Sequence, residues 1–178
     1  YVGAVAGRLG DGVTEEEACK EGKAAMANCY VTGSISADLT WCDVYLGGVV
    51  GRAVGEISAC SNLASLSGRT DSAGTLCLGG IVGEVCAYHD PYYTSTCTVA
   101  RCVNGGELRP DPASHKLWAG GIAGHLKLYA QITECFNNAD LWLAASEERG
   151  DVAWMGGIAG MSDGIITDCF NTGDVGAD

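Results

Sequence analysis

Short apolar stretches broken by paired glycines recur along this chain at long, regular intervals. Gly47-Gly48-Val49-Val50-Gly51 returns as Gly79-Gly80-Ile81-Val82-Gly83, Gly120-Gly121-Ile122-Ala123-Gly124 and Gly156-Gly157-Ile158-Ala159-Gly160, after a looser first copy, Gly3-Ala4-Val5-Ala6-Gly7. A cysteine answers each copy: Cys29, Cys60, Cys102, Cys135 and Cys169. Three residues before it stands Met26, Ile57, Val99, Ile132 or Ile166, and six after it Ile35, Leu66, Leu108, Leu141 or Val175. Between these aliphatics fall Asn62, Asn104, Asn137 and Asn171 at plus two, then Gly33, Ala64, Gly106, Ala139 and Gly173 at plus four. Asn and Gly tolerate positive φ, so this segment is expected to turn a corner between two strands.

Each copy therefore reads strand, turn, strand, corner, strand. Three short strands in a unit of this length, stacked on the next unit, predict an all-β, right-handed parallel β-solenoid of about five rungs. The chain is expected to form a single domain over 1–178, with repeats at about 1–40, 41–72, 73–113, 114–150 and 151–178. A helical solenoid is disfavoured because each glycine within an apolar segment costs a helix about 1 kcal/mol. The distance from glycine phrase to cysteine is elastic, at 22, 9, 19, 11 and 9 residues. That locates insertions at Arg8–Ala25 and Glu84–Thr98, and residues 14–20 of the first read as a short helix with Thr14 as its cap.

Composition narrows the class. Net charge is −12 with only 10 Lys and Arg, which excludes a phosphate-binding surface for nucleic acid. No apolar run reaches the roughly 18–20 residues that span a bilayer, so no membrane insertion is expected. Ten cysteines suggest a secreted disulfide framework. Five of them, however, hold one phase of the repeat, as small buried hydrophobes do, so Cys29, Cys60, Cys102, Cys135 and Cys169 are expected in the core. Cys86 and Cys97 bracket the third-copy insertion and are the disulfide candidates. No pair has C-x-x-C spacing, and Asp174 and Asp178 lack a calcium-ligand pattern, so no metal or cofactor is expected.

The run Ile165-Ile166-Thr167-Asp168-Cys169-Phe170-Asn171-Thr172-Gly173-Asp174-Val175, with the Gly-Gly-Ile-Ala-Gly phrase before it, resembles the GLUG repeat. That repeat occurs in bacterial cell-surface proteins and in non-catalytic parts of immunoglobulin A-specific metalloendopeptidases. The resemblance implies an extracellular, surface-displayed β-solenoid, part of a larger secreted protein. It does not imply proteolysis, since His-Glu-x-x-His is absent from this sequence.

Candidate chemistry is sparse. The column Tyr45, Cys77, Trp118, Trp154 is either an outward aromatic platform for sugar rings or part of the core. Strand alternation joins it to Val49, Ile81, Ile122 and Ile158, which favours the core. The opposite parity, Leu46, Leu78, Ala119 and Met155 continuing to Arg52, Glu84, His125 and Met161, is expected to face water at its polar end and to be covered by an insertion or a partner near the glycines. The insertion carries Tyr88, His89, Tyr92 and Tyr93, a composition suited to recognition or to capping the solenoid's flank. With Trp118 and Trp154 these are the candidate binding residues. Glu134 and Asp168 share one column at the spacing of a carboxylate pair, but read as solvated acids. The sequence points to a non-catalytic extracellular module of a bacterial surface protein, adhesin-like, with a host glycoprotein, an immunoglobulin or a glycan as partner. A β-helix carbohydrate-active enzyme and a structural stalk are the alternatives.

Overall fold

In a computed structural model, five rungs stack in chain order, each crossing five parallel sheets once. The structure describes residues 1–10, 24–70, 74–89, 94–111, 113–143 and 152–177, and the backbone alone at 88–89 and 94–95. Sheet A holds Val2–Gly3, Val44–Gly47, Thr75–Gly79, Lys116–Gly120 and Val152–Gly156; sheet B holds Ala6–Leu9, Val50–Ala53, Val82–Val85, Ala123–Leu126 and Ala159–Ser162. Sheet C holds Ala25–Ala27, Glu56–Ser58, Cys97–Ala100, Ala130–Thr133 and Ile165–Thr167. Sheet D is made of the two-residue strands Tyr30–Val31, Ser61–Asn62, Val103–Asn104, Phe136–Asn137 and Phe170–Asn171. Sheet E closes each rung with Ser34–Leu39, Ser65–Thr70, Leu108–Pro110, Leu141–Leu143 and Val175–Ala177. The fold is the all-β parallel solenoid of five rungs that the periodicity predicts.

The register is that of the sequence columns. Ile57 pairs with Met26 and Val99, and Ile132 with Val99 and Ile166. Leu108 lies between Leu66 and Leu141. These rows, with Val49, Ile81 and Ile122, make one continuous buried core. Each rung has five strands where three were expected, because two segments bend inside what reads as a single strand. The paired glycines separate sheet A from sheet B, and the residue before each cysteine separates sheet C from sheet D.

That second bend corrects the expected corner. Asn28, Ala59, Arg101, Glu134 and Asp168, each immediately before its cysteine, all have φ between 50° and 57°. The left-handed turn is taken there, by non-glycine residues. The asparagines do another job: Asn62, Asn104 and Asn137 are fully buried and stack into a ladder. The Nδ2 of each donates to the next Oδ1, from Asn62 to Asn104 at 2.8 Å, Asn104 to Asn137 at 2.8 Å and Asn137 to Asn171 at 2.6 Å. The same Nδ2 donates to the carbonyl of the plus-four residue (Ala64, Gly106, Ala139 or Gly173). For Ala64, Gly106 and Ala139 the amide N–H donates back to the asparagine Oδ1. The side chain thus pins the second corner without needing positive φ there. In the first rung, where Val31 replaces the asparagine, Gly33 has φ +100°.

The ladder also accounts for the glycine pair. A Cβ on Gly48, Gly80, Gly121 or Gly157 would overlap the carboxamide of Asn62, Asn104, Asn137 or Asn171 in the same rung. The first copy departs at both places together, with Ala4 for the second glycine and Val31 for the asparagine.

Cysteines form a parallel row beside the asparagines. Cys60, Cys102 and Cys135 are fully buried, and Cys29 and Cys169 partly buried at the two ends. Each thiol donates to the carbonyl two residues earlier, at 3.3 Å for Cys60, Cys102 and Cys135. The Cys102 and Cys135 amides donate to the sulfur one rung on, at 3.4 and 3.3 Å. Burial pushes the Cys60 and Cys169 thiols up, and contact with Cys135 together with burial does so for Cys102. The row packs as small hydrophobes.

Both insertions are shorter than expected. Arg8 and Leu9 remain in sheet B and Ala25 in sheet C; Glu84 and Val85 remain in B, while Cys97 and Thr98 belong to C. The helix expected at 14–20 lies outside the described residues. The third insertion contains an antiparallel pairing of Tyr88–His89 with Thr94–Ser95.

The ladder generates a graded expectation. Asn137→Leu strands buried partners on both sides and should destabilise by about 3 kcal/mol. Asn171→Leu, at the exposed end, should cost under about 1 kcal/mol. Urea unfolding of the two variants checks this, and equal losses would refute a role for buried amide pairing.

Candidate functional site

The paired glycines turn the chain, so side-chain alternation does not carry from sheet A into sheet B. This overturns the core placement of the Trp column. Leu46, Leu78 and Ala119 pack in the core cluster, and Tyr45, Cys77, Trp118 and Trp154 hold the alternate positions of sheet A, outside that cluster. Arg52, Glu84, His125 and Met161 form the matching column of sheet B. The two columns meet. The Trp118 ring lies edge-on to His125 with centroids 4.7 Å apart, and the Arg52 Nη1 donates to the Tyr1 hydroxyl at 3.3 Å.

The aromatic column is laid out along the solenoid axis. Tyr1 stacks on Tyr45 at 5.3 Å, and Trp118 on Trp154 at 5.9 Å with planes 5° apart. The two indoles thus cover each other instead of lying side by side as a flat platform. Trp154, at the last rung, is 45% exposed. Cys77 interrupts the column and is fully buried, with its thiol pushed up by burial and by Glu84.

Glu84 is the hub of the sheet B column. Only 2% exposed, it accepts from Arg52 Nε at 2.8 Å and from the Cys86 thiol at 3.0 Å. Lys127 Nζ lies 3.1 Å from its other oxygen, and His125 Nδ1 approaches that oxygen at 3.5 Å, an ionic distance outside hydrogen-bond geometry. On its far side His125 Nε2 faces Asp163 at 3.4 Å. The polar side chains therefore run from Arg52 through Glu84 to His125 and Lys127 and on to Asp163, one step per rung over four rungs. Burial raises the Glu84 carboxyl, but the surrounding His125, Cys86 and Lys127 groups outweigh it and bring the pKa down to about 2. Cys86, buried beside this carboxylate, is pushed up to about 11.

That arrangement also corrects the disulfide expectation. The Cys86 thiol turns out to Glu84 and Arg52, whereas the Cys97 thiol turns in to the Gly55 carbonyl at 2.7 Å and packs in the core. Sulfurs directed to opposite sides cannot bond without moving backbone.

The Glu84 cluster anchors the root of the third insertion at one corner of the solenoid. In the first rung the chain leaves sheet B after Leu9 and enters sheet C at Ala25; in the third it leaves after Val85 and enters at Cys97. The same corner carries exposed Leu128 and Tyr129 in the fourth rung and exposed Ile165 in the fifth. The side chains of Tyr88 and His89, and the whole of Tyr92 and Tyr93, lie outside the described residues. Glu134 and Asp168 do stack on consecutive rungs, but at the exposed corner before the cysteines, where Glu134 pairs with Arg101 at 3.8 Å. Among the described residues no three metal-ligating side chains converge.

A pH dependence follows. The Glu84 pKa is lower in the folded chain than its ordinary 4.5, so its ionised form stabilises the fold fully above about pH 4.5 and is lost as pH falls through about 2. The contribution is on the order of 3 kcal/mol. Glu84→Gln should lose that amount at pH 7 and nearly match the unaltered chain at pH 2, as urea unfolding across pH would reveal; an equal deficit at both pH values would refute it.

No family model matches this chain, and no curated protein sequence matches it. No helix among the described residues is long and apolar enough to cross a membrane. The chain is similar in structure to the crystal structure of a candidate immunoglobulin A1 protease from Bacteroides ovatus, with a TM-score of 0.66 and 20% sequence identity. The match covers 97% of this chain and 48% of that one, so this chain spans about half the length of its structural neighbour. At that identity the likeness establishes a shared fold.

Proposed function

We propose that this solenoid is a non-catalytic binding module of a larger bacterial surface or secreted protein, adhesin-like in action. The observation that carries the reading is the shared corner between sheets B and C. Both long connections open there, two rungs or about 10 Å apart. Exposed Leu128, Tyr129 and Ile165 continue the same flank. Tyrosines and aliphatics on loops held by a rigid scaffold suit recognition of another macromolecule. The Arg52–Glu84–Lys127 cluster, centred on the buried Glu84 carboxylate, holds that flank firm.

An immunoglobulin or another host glycoprotein is the partner class to test first, and its glycan is the simplest ligand. The support is the likeness to a protein described as acting on immunoglobulin A1, together with the GLUG-like phrase. The chain is to be applied to immunoglobulins, their deglycosylated forms and a glycan panel. Binding is expected to weaken at least about tenfold in a Leu128→Ser, Tyr129→Ser variant. Release of reducing or unsaturated sugars from the panel would overturn the non-catalytic reading. Silence on every surface would favour a stalk.

A further inference from the structure

We infer that the outer face of sheet E carries a binding site for a neutral oligosaccharide, separate from the corner between sheets B and C. An open cleft of about 390 Å³ lies across the first three rungs there, within the roughly 300–1,000 Å³ of small-ligand sites. Ser36, Ser67 and Arg109 stand on one row, one per rung, and Asp38 and Arg69 on the row two residues along. The buried row between them, Ala37, Gly68 and Pro110, gives the cleft a floor. Asp111 carries the second row into the third rung, its N–H donating to the Gly68 carbonyl at 2.8 Å. Short serines on the first two rungs leave open the space that the two arginines wall.

The groups around this cleft match hydroxyls better than they match a charge. Each arginine already faces a carboxylate: Arg69 Nε lies 3.9 Å from Asp111 Oδ2, and Arg109 Nη2 lies 2.7 Å from Glu107 Oε1. With Asp38 beside them the two guanidiniums are outnumbered, in a chain whose net charge is −12. An anionic ligand would meet repulsion both locally and from the whole molecule. A sugar diol instead accepts from a guanidinium and donates to a carboxylate with the same two hydroxyls. The acceptor side is held in place, since Asp111 Oδ1 takes the Ala113 N–H at 2.8 Å and leaves Oδ2 toward Arg69. The Ser36 and Ser67 hydroxyls and the Asp38 carboxylate hydrogen-bond to no described residue, so they meet a ligand without breaking a bond of the fold. Trp142 continues the Ser36, Ser67, Arg109 row in the fourth rung, 41% exposed, with its six-membered ring where a Cβ on Gly176 would be. Such a ring offers an apolar surface to the C–H face of a pyranose. Three rungs span about 10 Å between the first and the last, room for a short oligosaccharide laid along the axis.

The test titrates the whole chain with neutral oligosaccharides of glucose, galactose, mannose and N-acetylglucosamine, and with sialyllactose and oligogalacturonate as acidic probes. Calorimetry and backbone amide shifts follow binding. At least one neutral probe is expected to bind with a Kd of about 1 mM or tighter, shifting amides at 36–38, 67–69 and 109–111. Asp38→Ala and Arg109→Ala should each weaken it about tenfold. Ser67→Trp, which fills the cleft from an exposed position, should abolish binding and leave Tm unchanged. The Leu128→Ser, Tyr129→Ser variant should bind the probe as the unaltered chain does, which keeps this outcome apart from that of the B–C corner. Tighter binding of the acidic probes would overturn the inference. So would silence of every probe, or binding that survives Ser67→Trp.

Discussion

A carboxamide offers two donor hydrogens and an oxygen with two lone pairs, and buried away from water it must use them. The asparagine ladder meets that demand with one geometry. One hydrogen and one lone pair close a corner within the rung, and the remaining pair join consecutive rungs. The joining bonds require successive rungs to lie in register at the pitch of a parallel sheet, roughly 4.8 Å. Everything else in the solenoid is consistent with that pitch and register. The carboxamide lies where a Cβ on the second glycine would be, so Gly48, Gly80, Gly121 and Gly157 follow from it. The joint departure of Ala4 and Val31 in the first rung is what such a dependence predicts within a single chain.

Neighbouring rows answer to the same constraint. A rung that must advance by one sheet spacing has to close its circuit, and the tightest bend falls just before each cysteine. Five non-glycine residues adopt a left-handed conformation there, on the order of 1 kcal/mol of strain each. The cysteine that follows turns inward, satisfies a carbonyl two residues back and fills a small volume beside the asparagine. Its sulfur is large enough to reach the amide of the rung below, as Cys135 does to Cys102. A serine would place a stronger hydrogen-bonding group in an apolar row, and an alanine would leave a gap along the stack.

Period, columns and register were legible because in-register stacking repeats the same demand at the same offset, as the Ile57, Val99, Ile132 row illustrates. Facing direction was less legible. Alternation assumes an extended strand, and a glycine pair that bends between Gly47 and Val50 resets it, which moved Trp118 and Trp154 out of the core and Leu46 and Leu78 into it. Cys86 and Cys97 looked like partners because only their distance along the chain was visible, whereas one sits on the outer column of sheet B and the other on the inner row of sheet C. The Glu84 cluster had a usable signal. Arg52, Glu84 and His125 share a column, so reading charge down the columns instead of along the chain brings cation, anion and imidazole onto consecutive rungs. Nothing in a linear reading places Lys127 and Asp163 beside them, two residues further on.

The axial and lateral directions of this molecule are governed by different physics. Along the axis every rung sees nearly the same neighbour, so a substitution is tested by the repeat itself, as the matched loss at positions 4 and 31 illustrates. Across the flank, inter-rung backbone bonds such as Val54 N–H to the Leu9 carbonyl and Lys127 N–H to the Val85 carbonyl hold the ends of the B–C connections, and connections of different length that return to register are compatible with the stack. The polar ladder centred on buried Glu84 sits at the boundary between the two regimes. Arg52, Glu84, His125, Lys127 and Asp163 tie four rungs together on the outer face, and the thiol of Cys86 ties the root of an insertion to them. A load or ligand taken up at that root is therefore transmitted to several rungs at once, and a flank that varies freely in sequence can still be held rigidly by a core that does not.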